Sequence, residues 1–340
     1  MPTKTRHTLT GKTRRGHFVL VWGAFGPGDI LSRGILSGRH FVQGAFCPFP
    51  VNDIKNCIPD STVKLFAADT NLFIYGKSLS EAYAKANASI KCLCDWFNTN
   101  KLSLNVDKSC YSVFGGTETG TEGFSLKVDN SHLKLVRHTK YLGIIIDSDL
   151  SWKDHIEYLY KKLLKFTSFF YKLRYSVPPC VMKMLYFAFV YPQLLYGITV
   201  YGNTCKSHLD KLMVLNNKLL RIAQNCTVRT RSTDLYRQYH TLPLPTLHQY
   251  EILLFVHKCL YMHPLLPNVF CNYFQLNNSV HTHVTRSSNK IHLHFVDSSF
   301  GSKCVKYKGC TLWNSLPNWL TSISSFSVFK RKLKDYVIQN

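Results

Sequence analysis

The period of the apolar residues changes once along this chain, near residues 148 to 153, and that change limits the fold more than any single motif. Before it, apolar residues gather in short β-prone runs. Thr62-Val63-Lys64-Leu65-Phe66 and Asn71-Leu72-Phe73-Ile74-Tyr75 flank Ala67-Ala68-Asp69-Thr70, which predicts a hairpin with a tight turn and Asp69 exposed at its tip. Ser78 followed by Glu81 forms a capping box, and Leu79, Ala82, Ala86, Ile90, Leu93 and Trp96/Phe97 recur at helical spacing. One amphipathic helix is expected over residues 79 to 98. Cys110 to Phe114 and Phe124 to Val128 then read as strands about a Gly- and Thr-rich turn, and Lys140 to Asp147 closes a last strand pair. Hairpin, helix, strand and hairpin make an α+β unit with one sheet face covered.

After residue 153 the spacing is helical. Ile156, Leu159, Leu163, Phe166, Phe170 and Leu173 hold one face, and Leu212, Leu215, Leu219 and Ile222 hold another. No charged residue occurs between Lys183 and Lys206. That length tempts a membrane-spanning reading, but Pro192, Gln193 and four tyrosines inside it favour a buried helix broken near Pro192. A basic helix is expected from Val328 to Val337. Residues 1 to 50 show no sustained period, and no element is assigned there.

Composition narrows the function classes. Forty-six aromatics among 340 residues exclude a mostly disordered chain. The 42 Lys and Arg against 19 Asp and Glu leave +23, which calls for a polyanionic partner, most economically nucleic acid. Residues 158 to 340 carry 23 of the basic and only 5 of the acidic side chains, so the expected binding surface lies mostly there. Twelve scattered Cys and no convincing signal peptide point to a cytoplasmic or nuclear protein that is not secreted. There is no P-loop, dinucleotide fingerprint or Gly-x-Ser-x-Gly, so no small-molecule cofactor is expected. Cys259, His263, Cys271, His281 and His283 match no short paired spacing, which makes zinc an unfavoured reading.

The run Phe66-Ala67-Ala68-Asp69-Thr70-Asn71 resembles the Asp-Asp turn of reverse transcriptases, in the form found in non-LTR retrotransposons of the Jockey-like kind. The likeness continues in order through Trp96-Phe97, Asn100 to Asn105 and Lys108, through Lys140-Tyr141-Leu142-Gly143-Ile144 and Asp147, and through Leu150 to Ile156. Later segments, Tyr196-Gly197, Leu312 to Pro317 and Phe329 to Leu333, resemble the region downstream of such a polymerase. It covers roughly residues 51 to 340.

The resemblance implies a partial palm over 51 to 148, a helical thumb-like region over 149 to 260 and a basic C-terminal region over 261 to 340. It implies an RNA template and a DNA primer as partners, Mg²⁺ as the metal and no membrane. Asp69 would be the remnant of a metal-binding pair in which Ala68 replaces the other member. Lys108 would lie near the incoming nucleotide, and Tyr141, Leu142 and Gly143 would grip the primer. Lys161, Lys162, Lys165 and Lys172 on one helix and Lys211, Lys218 and Arg221 on another would contact the nucleic-acid backbone.

Two-metal phosphoryl transfer needs several converging carboxylates, and here one of the adjacent pair is Ala68. The third carboxylate should come from an upstream palm strand, which the 65 residues before Phe66 are too few to supply together with fingers. Asp29 and Asp53 are substitutes by default only, and residues 1 to 41 are explained as a decayed or shifted reading frame. The expectation is an inactive fragment of an RNA-directed DNA polymerase, or else a non-catalytic RNA/DNA-binding protein. Its hairpin at 62 to 75 should lack neighbouring strands and leave the palm unstable.

Overall fold

The computed structural model describes residues 17–26, 54, 56–58, 61–66, 69–100, 102–115, 123–129, 131–262, 265–280, 288–296 and 298–339. They divide into two compact units that meet in sequence at Leu150 and Ser151. The first unit mixes strands and one helix, and the second is helical, as an α+β chain requires.

In the first unit, strands β1 (His17–Gly26), β2 (Thr62–Phe66) and β3 (Asp69–Gly76) are followed by helix α1 (Leu79–Thr99). Next come β4 (Ser103–Phe114), β5 (Lys127–Val128), β6 (Ser131–His132), β7 (Lys134–Leu135), β8 (His138–Tyr141) and β9 (Ile144–Asp147). The main sheet has the order β2-β3-β1-β4-β7, antiparallel except for the β4 to β7 step, while β5 with β6 and β8 with β9 form two small hairpins.

Helix α1 forms where its capping predicts. The Ser78 hydroxyl accepts from the Glu81 N–H at 3.2 Å, and Glu81 reaches back to the Lys77 N–H at 2.8 Å, one residue before the usual capping-box partner. Its Ala82, Tyr83, Ala86, Ile90, Leu93, Trp96 and Phe97 are buried and close one face of the sheet. Gly76 lets strand β3 end directly against this helix, because a Cβ there would stand 2.6 Å from the Ala82 nitrogen.

Two expectations change here. Residues 17–26 are a ten-residue strand in the middle of the sheet, so the hairpin does have a neighbouring strand, and it comes from the stretch without a period. The reason is physical: Val19, Leu20 and Val21 are consecutive and all buried, so both faces are covered and alternation disappears from the sequence. The expectation that the hairpin lacks a neighbouring strand is corrected accordingly, while β1 carries no acidic residue and so does not supply the third carboxylate. Asp69, expected on the turn tip, is instead the first residue of β3 and pairs with Phe66. Ala67-Ala68 fall between the paired residues and lie outside the described residues, as do Asp29 and Asp53.

The second unit comprises α2 (Lys153–Leu173), α3 (Pro179–Leu185), a π-helical turn (Tyr186–Val190), α4 (Tyr191–Leu195), α5 (Ile198–Tyr201), α6 (Lys206–Ala223), α7 (Ser232–Tyr239) and α8 (Leu244–Tyr261). Short helices α9 (Asn277–Val280), α10 (Ser299–Lys303), α11 (Val305–Asn314) and α12 (Asn318–Thr321) precede α13 (Phe326–Gln339). The uncharged stretch is interrupted as expected: the π turn carries the chain to Pro192, whose missing N–H would leave a regular helix one bond short. Among the described residues, no helix is long and apolar enough to cross a membrane.

One core joins these helices. The faces read from sequence, Ile156, Leu159, Leu163 and Phe170 in α2 and Leu212, Leu215, Leu219 and Ile222 in α6, are buried in it. Three of its polar side chains form a chain: the Tyr186 hydroxyl donates to Asn216 Oδ1 at 3.0 Å, and Asn216 Nδ2 donates to the Tyr236 hydroxyl at 3.2 Å.

Candidate nucleic-acid interface

Asp69 pairs with Phe66 of β2 on one side and with Ala24 of β1 on the other. Its half-buried carboxylate makes no hydrogen bond or ion pair with the described residues. The ten residues of β1, His-Phe-Val-Leu-Val-Trp-Gly-Ala-Phe-Gly, include no Asp or Glu. Thr70 and Asn71, which follow Asp69, are buried, and no group of three or more potential metal ligands occurs among the described residues. Among the described residues, a single carboxylate next to a strand without one does not fit a pair of divalent cations about 4 Å apart.

Lys108 sits in a bulge of β4. Trp22 pairs with Cys110 and Ala24 with Asn105, so the four residues between Asn105 and Cys110 face one on β1. The bulge is tied internally: the Lys108 N–H donates to Asn105 Oδ1 at 3.1 Å and the Ser109 hydroxyl to the Asn105 carbonyl at 2.7 Å. This leaves the Lys108 side chain exposed and without a partner among the described residues.

Tyr141, Leu142 and Gly143 lie at the β8–β9 hairpin. Tyr141 packs edge-on to Phe73 of β3, with ring centroids 6.4 Å apart. Leu142 and Gly143 form the two-residue turn, both at positive φ, 45° and 84°. That is the pairing favoured by strand twist, but it leaves a bulky side chain in left-handed backbone.

In the helical unit, α2 and α6 pack along their lengths and carry the basic residues. After Glu157 neither helix has a carboxylate beyond Asp210, so the positive side chains run unopposed toward both C-termini. At the N-terminal end of that run the charges are partly used. Lys211 Nζ lies 2.6 Å from Glu157 Oε2 and holds this carboxyl below its ordinary range, Lys161 is 3.9 Å from the other oxygen, and Lys162 stands 5.9 Å from the Tyr158 ring. Lys165, Lys172 and Lys218 are exposed and have no ion-pair partner among the described residues.

Between the C-terminal halves of α2 and α6 lies a groove of about 820 Å³. Lys172, Arg174, Lys218 and Arg221 line it together with Tyr171 and several apolar side chains, and no acidic residue does. The Arg174 guanidinium lies over two rings, 4.1 Å from the centroid of Tyr171 and 4.4 Å from that of Tyr175. Arg221 donates to the Thr230 carbonyl at 3.2 Å. The sequence reading missed Tyr171, Arg174 and Tyr175; the Tyr-x-x-Arg-Tyr spacing was visible, but only the neighbouring helix turns it into a wall.

The cysteine and histidine set does not converge among the described residues. Cys259 is buried, which pushes its thiol up to about 11, whereas Cys271 is exposed. His263, His281 and His283 lie outside the described residues.

No protein-family profile matches the chain. It is similar to an RNA-directed DNA polymerase from the mobile element jockey of Drosophila melanogaster, at 26% identity over 194 residues, 55% of this chain and 20% of that protein. The corresponding jockey polymerase of Drosophila funebris is 23% identical over 51% of this chain and 19% of its own length. A probable RNA-directed DNA polymerase from transposon BS of Drosophila melanogaster is 22% identical, again over 51% and 19%. The curated relatives are thus polymerases of non-LTR mobile elements, and this chain spans about a fifth of their length.

Proposed function

We propose that this chain is a fragment of a non-LTR retrotransposon RNA-directed DNA polymerase that binds nucleic acid without polymerising it. The observation that carries the reading is the unopposed row of Lys165, Lys172, Lys218 and Arg221 along packed helices α2 and α6. Each such cation near a phosphate releases condensed counterions, which gives affinity without sequence preference. In this reading residues 51 to 148, joined by strand β1, are part of a palm. Residues 149 to 260 are a thumb-like region, and residues 261 to 340 are a basic C-terminal region. Within the helical unit, template and primer would lie along α2 and α6; within the sheet unit, taken by itself, Lys108 would contact the nucleotide and Tyr141, Leu142 and Gly143 the primer. Lys161, Lys162 and Lys211 would add to the backbone contacts.

The absence of catalysis follows from the donor set around Asp69. Charge developing on the transferred phosphoryl group needs preorganised cations, and losing their ligands costs orders of magnitude in rate. Ala68 removes one carboxylate and β1 supplies none. The test is filter binding of RNA and DNA over a salt series. Affinity that falls steeply with salt supports the reading, and no binding at low salt overturns it.

A further inference from the structure

The groove between α2 and α6 holds features that backbone contact alone leaves unexplained. Three buried polar atoms in its wall, Thr167 Oγ1, Arg174 Nε and Arg221 Nε, have no hydrogen-bond partner among the described residues. Being buried, these atoms are not themselves open to a ligand, so the groove's occupant is read from the side chains it exposes. Beside them the groove exposes apolar surface: Leu164 is 43% exposed, Val214 65% and Val228 88%. A phosphate ribbon offers nothing to that surface. A nucleobase does, with a face for the Tyr171 ring and the valines and an edge of acceptors for the cationic side chains of the lining.

From this we infer that the α2–α6 groove captures single-stranded RNA or DNA, with a base seated against Tyr171 and Val214 and flanking phosphates on Lys172, Lys218 and Arg221. The inference rests on the nucleic-acid-binding reading and specifies its substrate. Size and charge agree with it. The groove lies within the roughly 300–1,000 Å³ typical of small-ligand pockets and so admits a nucleotide. Its lining combines four cations with no carboxylate. Contact with two tyrosine rings holds the Arg174 guanidinium in place before a strand arrives. In a duplex the bases are already stacked on one another and cannot reach it.

Fluorescence anisotropy with the full chain tests this, using fluorescein-labelled oligo(dT) and oligo(U) of about 12 nucleotides, a length within known single-strand site sizes, and a mixed-sequence DNA duplex of equal length. The expected result is that one or both single strands bind several-fold tighter than the duplex; the two arms show whether the ribose hydroxyl contributes. Tyr171→Ala should weaken single-strand binding by about tenfold and leave duplex binding within twofold. Val214→Glu, at an exposed site where folding is not at risk, should weaken single-strand binding in the same selective way. Equal affinity for both forms, or equal loss of both in these variants, overturns the inference while the binding reading stands. Polyglutamate displacing oligo(dT) as well as unlabelled oligo(dT) does also overturns it, by reducing the groove to an anion site. Failure of every nucleic acid to bind removes the broader reading and this inference together.

Discussion

Asp69 and Ala24 are partners across the antiparallel β3–β1 pairing, so the strand beside the Asp69 carboxylate places alanine opposite it. This pairing decides what repairing the turn can achieve. Ala68→Asp puts two acids side by side but leaves β1 without any, which in the proposed reading is too few for a two-metal site. The variant is expected to show no template-dependent synthesis with Mg²⁺ or Mn²⁺, measured by incorporation of labelled nucleotide on an RNA template.

The lysines should separate by whether they are already paired. Lys218→Ala removes a cation with no ion-pair partner among the described residues and should weaken binding and lower the salt slope by about 0.7 to 0.9. Lys211→Ala removes one held 2.6 Å from Glu157, a cation already offset by that carboxylate, so the salt slope should change less, although the uncovered carboxylate also weakens binding. Parallel salt titrations of the two variants make the comparison.

Acid should loosen the helical unit within a defined window. Burial lowers His155 to about 4, and burial with the nearby Lys308 ammonium lowers His248 to about 4, from an ordinary 6.5. The unfolded chain therefore takes up these protons first. Stability is fully present above pH 6.5 and is lost as pH falls toward 4, by about 2–3 kcal/mol for each ring. Urea denaturation at several pH values should show this slope, and His155→Phe should flatten it.

Much of this fold could be read from residue spacing. Helix α1 was legible because a capping box and a repeating apolar face agree, and α2 and α6 because each buries one clear stripe. Strand β1 was not, since covering Val19, Leu20 and Val21 on both sides erases the alternation by which strands are recognised. The position of Asp69 was misplaced by the register of a two-residue connection, which local propensity does not fix. The Arg174 groove required knowing which two helices pack together, information that lies in neither helix alone.

The β8–β9 turn stores strain that can be released. Leu142 stands at φ 45°, where a branched aliphatic side chain is disfavoured and Asn is tolerated. Leu142→Asn creates the Asn-Gly pair preferred in such turns and should stabilise the sheet unit by about 0.5–1 kcal/mol. A higher thermal midpoint is expected; a lower one would mean that Leu142 packing outweighs its backbone strain.

Primer extension by the native chain tests the central claim most directly, at a protein concentration that binds all of an annealed RNA template and DNA primer. The expected outcome is a shifted, fully bound template–primer whose primer keeps its original length in Mg²⁺ and in Mn²⁺. Primer lengthening that depends on the template sequence would contradict the account, because it would require a metal-binding carboxylate set that Asp69 and β1 do not provide.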